Sequence, residues 1–324
     1  MKKLFALLLT LILTMTICVG AFAEEASEDV KTIAYCTREP ADDAFQNMLE
    51  QGIRSVIDAN PGFELWMLTV DTMNDVSEQA NTIEEAVAAG VDAIIVNPSD
   101  GTTCLEAIKT ATDSGIPVVV VDGRLDDGYE DYYVTQVGAD NAQAGTSLAE
   151  MLMELRPDGG NYIVVRGING NVVLDTRADS FNAALEGSNW VNVGDMNNET
   201  SDNEGAMSVT ENMLAAAGYD VDIVFAAADS WFPGIAQALE DAELYDDILM
   251  VGIDASTIGL RYFQEGHVLA EIQVRADMVA QTAAQIAVDI VNGVATAEDY
   301  EPVTNVAVDK VYEDGIEAAL EVAF

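Results

Sequence analysis

The sequence predicts an α/β fold of parallel sheets covered by helices on both faces, arranged as two consecutive doubly wound units. Three observations lead there. From Thr32 onward, short β-branched runs alternate with longer helical patterns. The β runs are continuously apolar, as strands buried on both faces must be. The alternation breaks near "VTQVGADNAQAG" and restarts over a stretch of similar length. At 324 residues, half of them hydrophobic, the chain can form two domains with buried cores.

The elements follow in order. "TIAYC" (32–36) reads as a strand, and "AFQNMLEQGIRSVIDAN" as an amphipathic helix with Phe45, Met48, Leu49, Ile53 and Ile57 on one face. "FELWMLTV" (63–70) is a second strand, followed by a helix through "VSEQANTIEEAVAAG". "VDAIIVNPSD" is a third strand ending in a turn, and "GTTCLEAIKTATDSG" is a helix closed by Gly115. The four valines 118–121 make the fourth strand. After the break come helix 141–155, strand "NYIVVRG" (161–167) and a helix through "RADSFNAALEG". Strands "DIVFAAAD" (222–229), "DILMVGID" (247–254) and "HVLAEIQV" (267–274) follow, with a helix between the first two and the long helix "MVAQTAAQIAVDIVNG" last.

Residues 1–23 stand outside this pattern. Two lysines, an apolar core and the ending Ala21-Phe22-Ala23 predict a secretory leader cleaved after Ala23. Cys18 offers a second reading, a lipid anchor, but Ile17 stands where such a signal wants a small residue. No later run reaches the roughly 18 apolar residues that spanning a bilayer takes. The expectation is an exported protein, periplasmic or cell-surface associated. Without the leader the chain keeps 11 bases against 57 acids. That acidic coat argues against nucleic acid and anionic membrane as partners. Cys36 and Cys104 lack any zinc-ligand spacing and are read as two buried free thiols rather than a disulfide.

Enzyme signatures are scarce. The single histidine, His267, has no nucleophile motif beside it, and no phosphate loop, G-x-S-x-G, G-x-G-x-x-G or H-E-x-x-H occurs. The pairs Asp42-Asp43 and Asp126-Asp127 read as solvated turns, and "DTMNDVSE" lacks the calcium-loop spacing. No catalytic residue, metal site or cofactor is expected. In open α/β sheets ligands bind outside the carboxyl ends of the strands. Asn97, Asp122, Arg124, Asp229 and Asp254 all follow strands. Any one alone reads better as a turn or helix cap; five at equivalent ends, in two units, predict a lined cleft.

Six landmarks occur in order: "IIVNPSD" (94–100), "GIPVVVVD" (115–122), "VGADNAQAG" (137–145), "RADSF" (177–181), "VFAAAD" (224–229) and "LMVGIDAS" (249–256). With them the chain, from about Lys31 to about Val311, resembles the periplasmic sugar-binding proteins of the ribose/galactose type, the solute receptors of ABC transporters. The resemblance implies the type 1 periplasmic binding fold, two Rossmann-like lobes joined by a three-crossing hinge. Crossings are expected near Ala139–Asn141, Ile272–Val274 and Asn292–Thr296. The lobes would comprise 31–139 plus 274–292, and 140–273 plus 293–324, closing on a ligand by hinge motion.

The resemblance also implies roles. Asp122 matches the first-lobe aspartate that binds sugar hydroxyls, Arg177 an arginine reaching the ring oxygen from the second lobe, Asp254 the second-lobe aspartate, and Asn97 a first-lobe contact. Where such proteins carry N-x-P-F-F, this chain has "DDAFQ" (42–46), leaving Phe45 as stacking face and Asp43 at the rim with Glu39 and Asp42. The asparagine expected before Asp229 is Ala228, and an aromatic expected near Thr200 is missing. Trp231 either supplies a compensating aromatic or packs, and a glutamine expected near Val274 is replaced by Gln273 or Arg275. Arg124 either turns inward to Asp122 or the ligand, or outward as a surface charge. The implied function is a non-enzymatic, monomeric solute-binding protein that takes a sugar or other small polar ligand and presents it to an ABC permease. A polyol, a modified sugar and a cationic molecule remain open as ligands. A sensory receptor docking on a chemoreceptor or histidine kinase is the alternative, and a secreted carbohydrate-active enzyme a more distant one.

Overall fold

The computed structural model describes residues 30–38, 40, 44–72, 75–102 and 104–324. The leader, Cys18, Glu39, Asp42 and Asp43 lie outside the described residues. Strands β1 (Lys31–Cys36), β2 (Phe63–Leu68), β3 (Ala93–Val96), β4 (Val118–Val121) and β5 (Gln136–Ala139) form a parallel sheet in the order β2-β1-β3-β4-β5. Helices α1 (Ala44–Ala59), α2 (Val76–Ala89) and α3 (Leu105–Asp113) connect them. The continuous apolar runs have their reason here. Ile33 and Tyr35 of β1 face Leu49, Ile53 and Ile57 of α1. Ala34 and Cys36, on the opposite side, face Ile83 of α2 and Ile108 of α3. With both faces covered, neither set of alternating positions can be polar. Cys36 and Cys104 are separate buried thiols in that second layer. Burial pushes them up to about 12 and about 11, so both stay protonated and inert. Gly115 follows α3 at φ +79, the left-handed position that a helix end asks of glycine.

The second unit repeats the plan. Helix α4 (Asn141–Leu155) leads to β6 (Gly160–Arg166), α5 (Val172–Leu185), β7 (Trp190–Asn197), α6 (Asn203–Ala216), β8 (Ile223–Ala226), α7 (Phe232–Asp241), β9 (Leu249–Asp254), α8 (Thr257–Gln264) and β10 (Val268–Gln273). The order β7-β6-β8-β9-β10 mirrors that of the first sheet. The sequence reading passed over β5, β7, α6 and α8. For β7 the physical reason is that it is an edge strand whose residues after Trp190 are half-buried or exposed, so it has no continuous apolar run.

After β10 the chain returns to the first lobe. Helix α9 (Ala276–Val291) packs so closely on α1 that a Cβ on Gly52 would stand 2.6 Å from Ala280 Cβ. Strand β11 (Val303–Val306) then pairs in parallel with β5, and β12 (Asp309–Val311) runs antiparallel to β10. This corrects the expected third crossing: it lies between Val306 and Asp309, not near Asn292–Thr296, and residues 293–306 go with the first sheet. Only Val306 of β11 is buried, so the strand is almost silent in the sequence. Two contacts tie the crossings together. The Val308 N–H donates to Gln143 at 3.4 Å, and Arg275 sits 3.3 Å from Asp309 and 2.8 Å from Asp277. A short helix, α10 (Ile316–Leu320), completes the second lobe. Among the described residues no helix is long and apolar enough to cross a membrane.

Candidate ligand-binding cleft

Strands β4 and β9 occupy equivalent places in their two sheets, and each delivers an aspartate at its carboxyl end. Asp122 follows β4 and Asp254 ends β9, close enough across the cleft for the charge of Asp122 to act on Asp254. Both have positive φ, 60° and 122°; the first lies in the left-handed region that a short polar side chain tolerates better than most. Such backbone persists only where its surroundings hold it. At Asp122 the backbone N–H donates to Val137 O at 2.8 Å, and the next N–H, that of Gly123, donates to Asn97 Oδ1 at 3.1 Å. A Cβ on Gly123 would meet Pro98 O at 2.8 Å and Asn97 Oδ1 at 2.9 Å, so the turn has room for glycine alone.

Each aspartate has its own guanidinium. Arg38, just past β1, donates from Nη2 to Asp122 Oδ2 at 3.0 Å, both side chains about a quarter exposed. In the second lobe Arg177 of α5 is buried and its Nη1 lies 2.9 Å from Asp254 Oδ1. The same guanidinium is oriented by Nε donating to Asn141 Oδ1 at 2.8 Å and Nη1 donating to Ala227 O at 2.9 Å. Carboxylates accept hydroxyl protons and guanidinium groups donate in a plane, so both walls offer both halves of hydroxyl recognition.

Behind Asp254 lie two further acids. Asp229 is fully buried and accepts from Ser256 N and Ser256 Oγ, each at 2.7 Å. Burial, and then the charge of Asp254, push its pKa up to about 8 against the pull of Ser256 and Arg177. Glu271 of β10 is also fully buried, and neither carboxyl oxygen makes a well-formed hydrogen bond. Burial, Asp229 and Asp254 raise it well above the ordinary range, with slight relief from the Ala255 backbone. Asp254 itself is raised by burial and by Asp122, opposed by Arg177. Burial disfavours the charged form of both rear acids, and Arg177 pairs with the one that faces the cleft, Asp254.

The structure thus brings together Asp122, Arg177 and Asp254 and turns other expected residues elsewhere. Asn97 is fully buried and serves the Gly123 turn. Asp229 is spent on Ser256, at the start of α8. Trp231 is a packing residue of the second-lobe core. Arg124 turns to β11, with Nη2 3.4 Å from Asn305 Oδ1, and does not pair with Asp122. Gln273 is buried and donates to Ala319 O at 2.8 Å. The Phe45 ring meets Phe324 edge-on at 5.0 Å. Asp43 lies outside the described residues. Sequence reasoning missed Arg38 and Glu271. Arg38 obeys the strand-end rule that found Asp122, and Glu271 is the lone acid inside the apolar run "VLAEIQV".

Comparison with known proteins settles the kinship. The model of the periplasmic binding protein domain matches residues 33–295. This chain belongs to that family. Its members are solute-binding proteins, not enzymes. The binding protein is similar to the ribose import binding protein of Haemophilus influenzae, 26% identical over 90% of this chain and 94% of that one. It is also similar to a xylitol-binding protein of Mycolicibacterium smegmatis, 24% identical over 95% of this chain and 84% of the other. Among solved structures, an ABC transporter solute-binding protein from Bacillus halodurans with bound myo-inositol superposes with a TM-score of 0.74 at 26% identity, covering 90% of this chain and 98% of that one. The two-lobed type 1 fold is the architecture of these relatives, and the topology described above conforms to it.

Proposed function

We propose that this binding protein captures a neutral polyhydroxylated molecule, a sugar or a polyol, between its lobes and delivers it to an ABC permease as an exported monomer. The carrying observation is the pair of Asp–Arg couples, Asp122 with Arg38 and Asp254 with Arg177. Each couple sets a guanidinium against a carboxylate and so offers acceptors and donors together. A hydroxyl-rich neutral ligand uses both; a cationic ligand would face a guanidinium beside each of these two aspartates. The relatives named for ribose and xylitol, and the structure holding myo-inositol, support this class. Export through the leader ending at Ala23, without an anchor at Cys18, accords with the two lysines and apolar core of that segment.

Thermal unfolding with D-ribose, xylitol, myo-inositol and, as a cationic control, putrescine tests the reading. A ligand at about 100 times its Kd stabilises by about 2.7 kcal/mol, an easily measured rise in Tm. The expected result is a rise with at least one polyol or sugar and none with putrescine. No response to any sugar or polyol at millimolar concentration, or a response to the amine alone, overturns it.

A further inference from the structure

Two of the expected ligand contacts, Phe45 and Gln273, are occupied by the same stretch of chain, residues 316–324. Its path explains how. From β12, at the sheet edge, α10 folds back over the second lobe, with Ile316 and Ala319 buried in that core. Gln273, at the carboxyl end of β10, grips Ala319 O. The chain then reaches the start of α8, where Phe324 O accepts from both Thr257 N and Thr257 Oγ1, each at 3.0 Å. The main chain of Phe324 is thereby fixed to the second lobe, three residues past Asp254. Its ring, however, packs on the first-lobe core and meets Phe45, in the first turn of α1, at an interplanar angle of 77°. One residue therefore belongs to both lobes, at a point that is not one of the three hinge crossings.

We propose that residues 316–324 are a strap that holds the cleft shut, and that Phe324 is a positioning residue for ligand capture. The anchored main chain fixes Phe324 on one lobe, and the Phe45–Phe324 contact is what closure makes and opening breaks. An edge-to-face aromatic pair of this kind biases the closed state by roughly 2- to 10-fold. Because only the closed form holds ligand tightly, the apparent Kd rises as the closed fraction falls, by at most that factor. The ligand arm rests on the reading above; the closure arm does not.

The test uses the full chain and its Phe324→Ala, Phe45→Ala and double variants. Small-angle scattering of each ligand-free protein reads the lobe separation, and calorimetry with whichever of D-ribose, xylitol or myo-inositol binds reads the affinity. Phe324→Ala is expected to enlarge the ligand-free protein and raise Kd, by up to roughly 10-fold. Phe45→Ala is expected to do the same, and the double variant to be no worse than either alone. A Phe324→Leu variant, which keeps an apolar side chain, should recover part of the effect. If Phe324→Ala leaves the scattering unchanged, or if the two single effects add, the strap is refuted. If scattering changes but no sugar or polyol binds even the parent protein, the strap stands and the ligand class falls.

Discussion

Arg177 Nη1 lies 2.9 Å from Asp254 Oδ1 and donates to the Ala227 carbonyl at the same distance, so one nitrogen joins a cleft carboxylate to the end of β8. The guanidinium is thus a structural member as much as a ligand contact. It opposes the rise that burial imposes on Asp254 and on Asp229 behind it.

Replacing Arg177 with methionine should therefore cost both stability and binding. Breaking a buried ion pair from one side typically costs about 3–5 kcal/mol. Urea unfolding should show a loss of that order, and calorimetry should show no detectable ligand. Arg177→Lys should retain part of the stability but little affinity, because an ammonium cannot reproduce the planar set of donors.

Stability should fall as pH rises. A carboxyl whose pKa is higher folded than unfolded holds its proton more tightly in the fold. Its contribution is full below the unfolded value and is lost as pH climbs through the folded one. Asp229, raised from 3.8 to about 8, and Glu271, raised well above its ordinary value, both act this way. Tm should be higher at about pH 5 than at about pH 8. Glu271→Gln should flatten that profile, gaining roughly 1–3 kcal/mol at alkaline pH by removing a buried unsatisfied acid. A Tm that rises between those two pH values would sink this account.

Asp122→Gly should separate stability from binding. Glycine adopts a φ of 60° freely, whereas an L side chain pays about 1–2 kcal/mol there, less for aspartate. Unfolding free energy should stay within about 1 kcal/mol of the parent or rise. Affinity should drop roughly 10- to 100-fold, the loss of a charged hydrogen bond or two. Arg38→Gln should weaken binding too, but change stability by less than about 1 kcal/mol, since the pair is partly solvated.

Gly123→Ala should be worse for folding than Asp122→Gly, although it removes no functional atom. The new methyl would press on Pro98 O and Asn97 Oδ1 at less than 3 Å. A loss of about 1–3 kcal/mol by denaturant titration, with weakened binding because the Asp122 turn shifts, is the expected outcome.

Most parallel strands and helices were readable because burial on both sheet faces leaves unbroken apolar runs, as in the valines of β4, whereas buried β5, with Gln136 and Gly138 in four residues, has no such run. Strands β7 and β11 escaped because an edge strand need be apolar on one side only. For the cleft, position along the chain was readable and orientation was not. Asp122 and Asp229 both follow strands, yet one lines the cleft and the other is consumed by Ser256, twenty-seven residues further on. Asn97 and Gln273 were likewise claimed by Gly123 and Ala319, partners that no local pattern announces. The Phe45–Phe324 contact spans nearly the whole chain, beyond the reach of any periodicity argument.

Helix α9 covers α1, with Ala280, Ala283, Ala284 and Ala287 lying over the face that carries Leu49, Ile53 and Ile57. A polypeptide that emerges amino end first must therefore wait for Val291 before that oily face is covered, and for Val306 before the first sheet has its last strand. Meanwhile the segment from Asn141 to Gln273, which holds five parallel strands of the other lobe, is contiguous and can condense on its own schedule. The lobe whose synthesis begins first thus stays open until almost the whole chain has emerged, and its bare α1 is the surface a chaperone would have to shield in the interval.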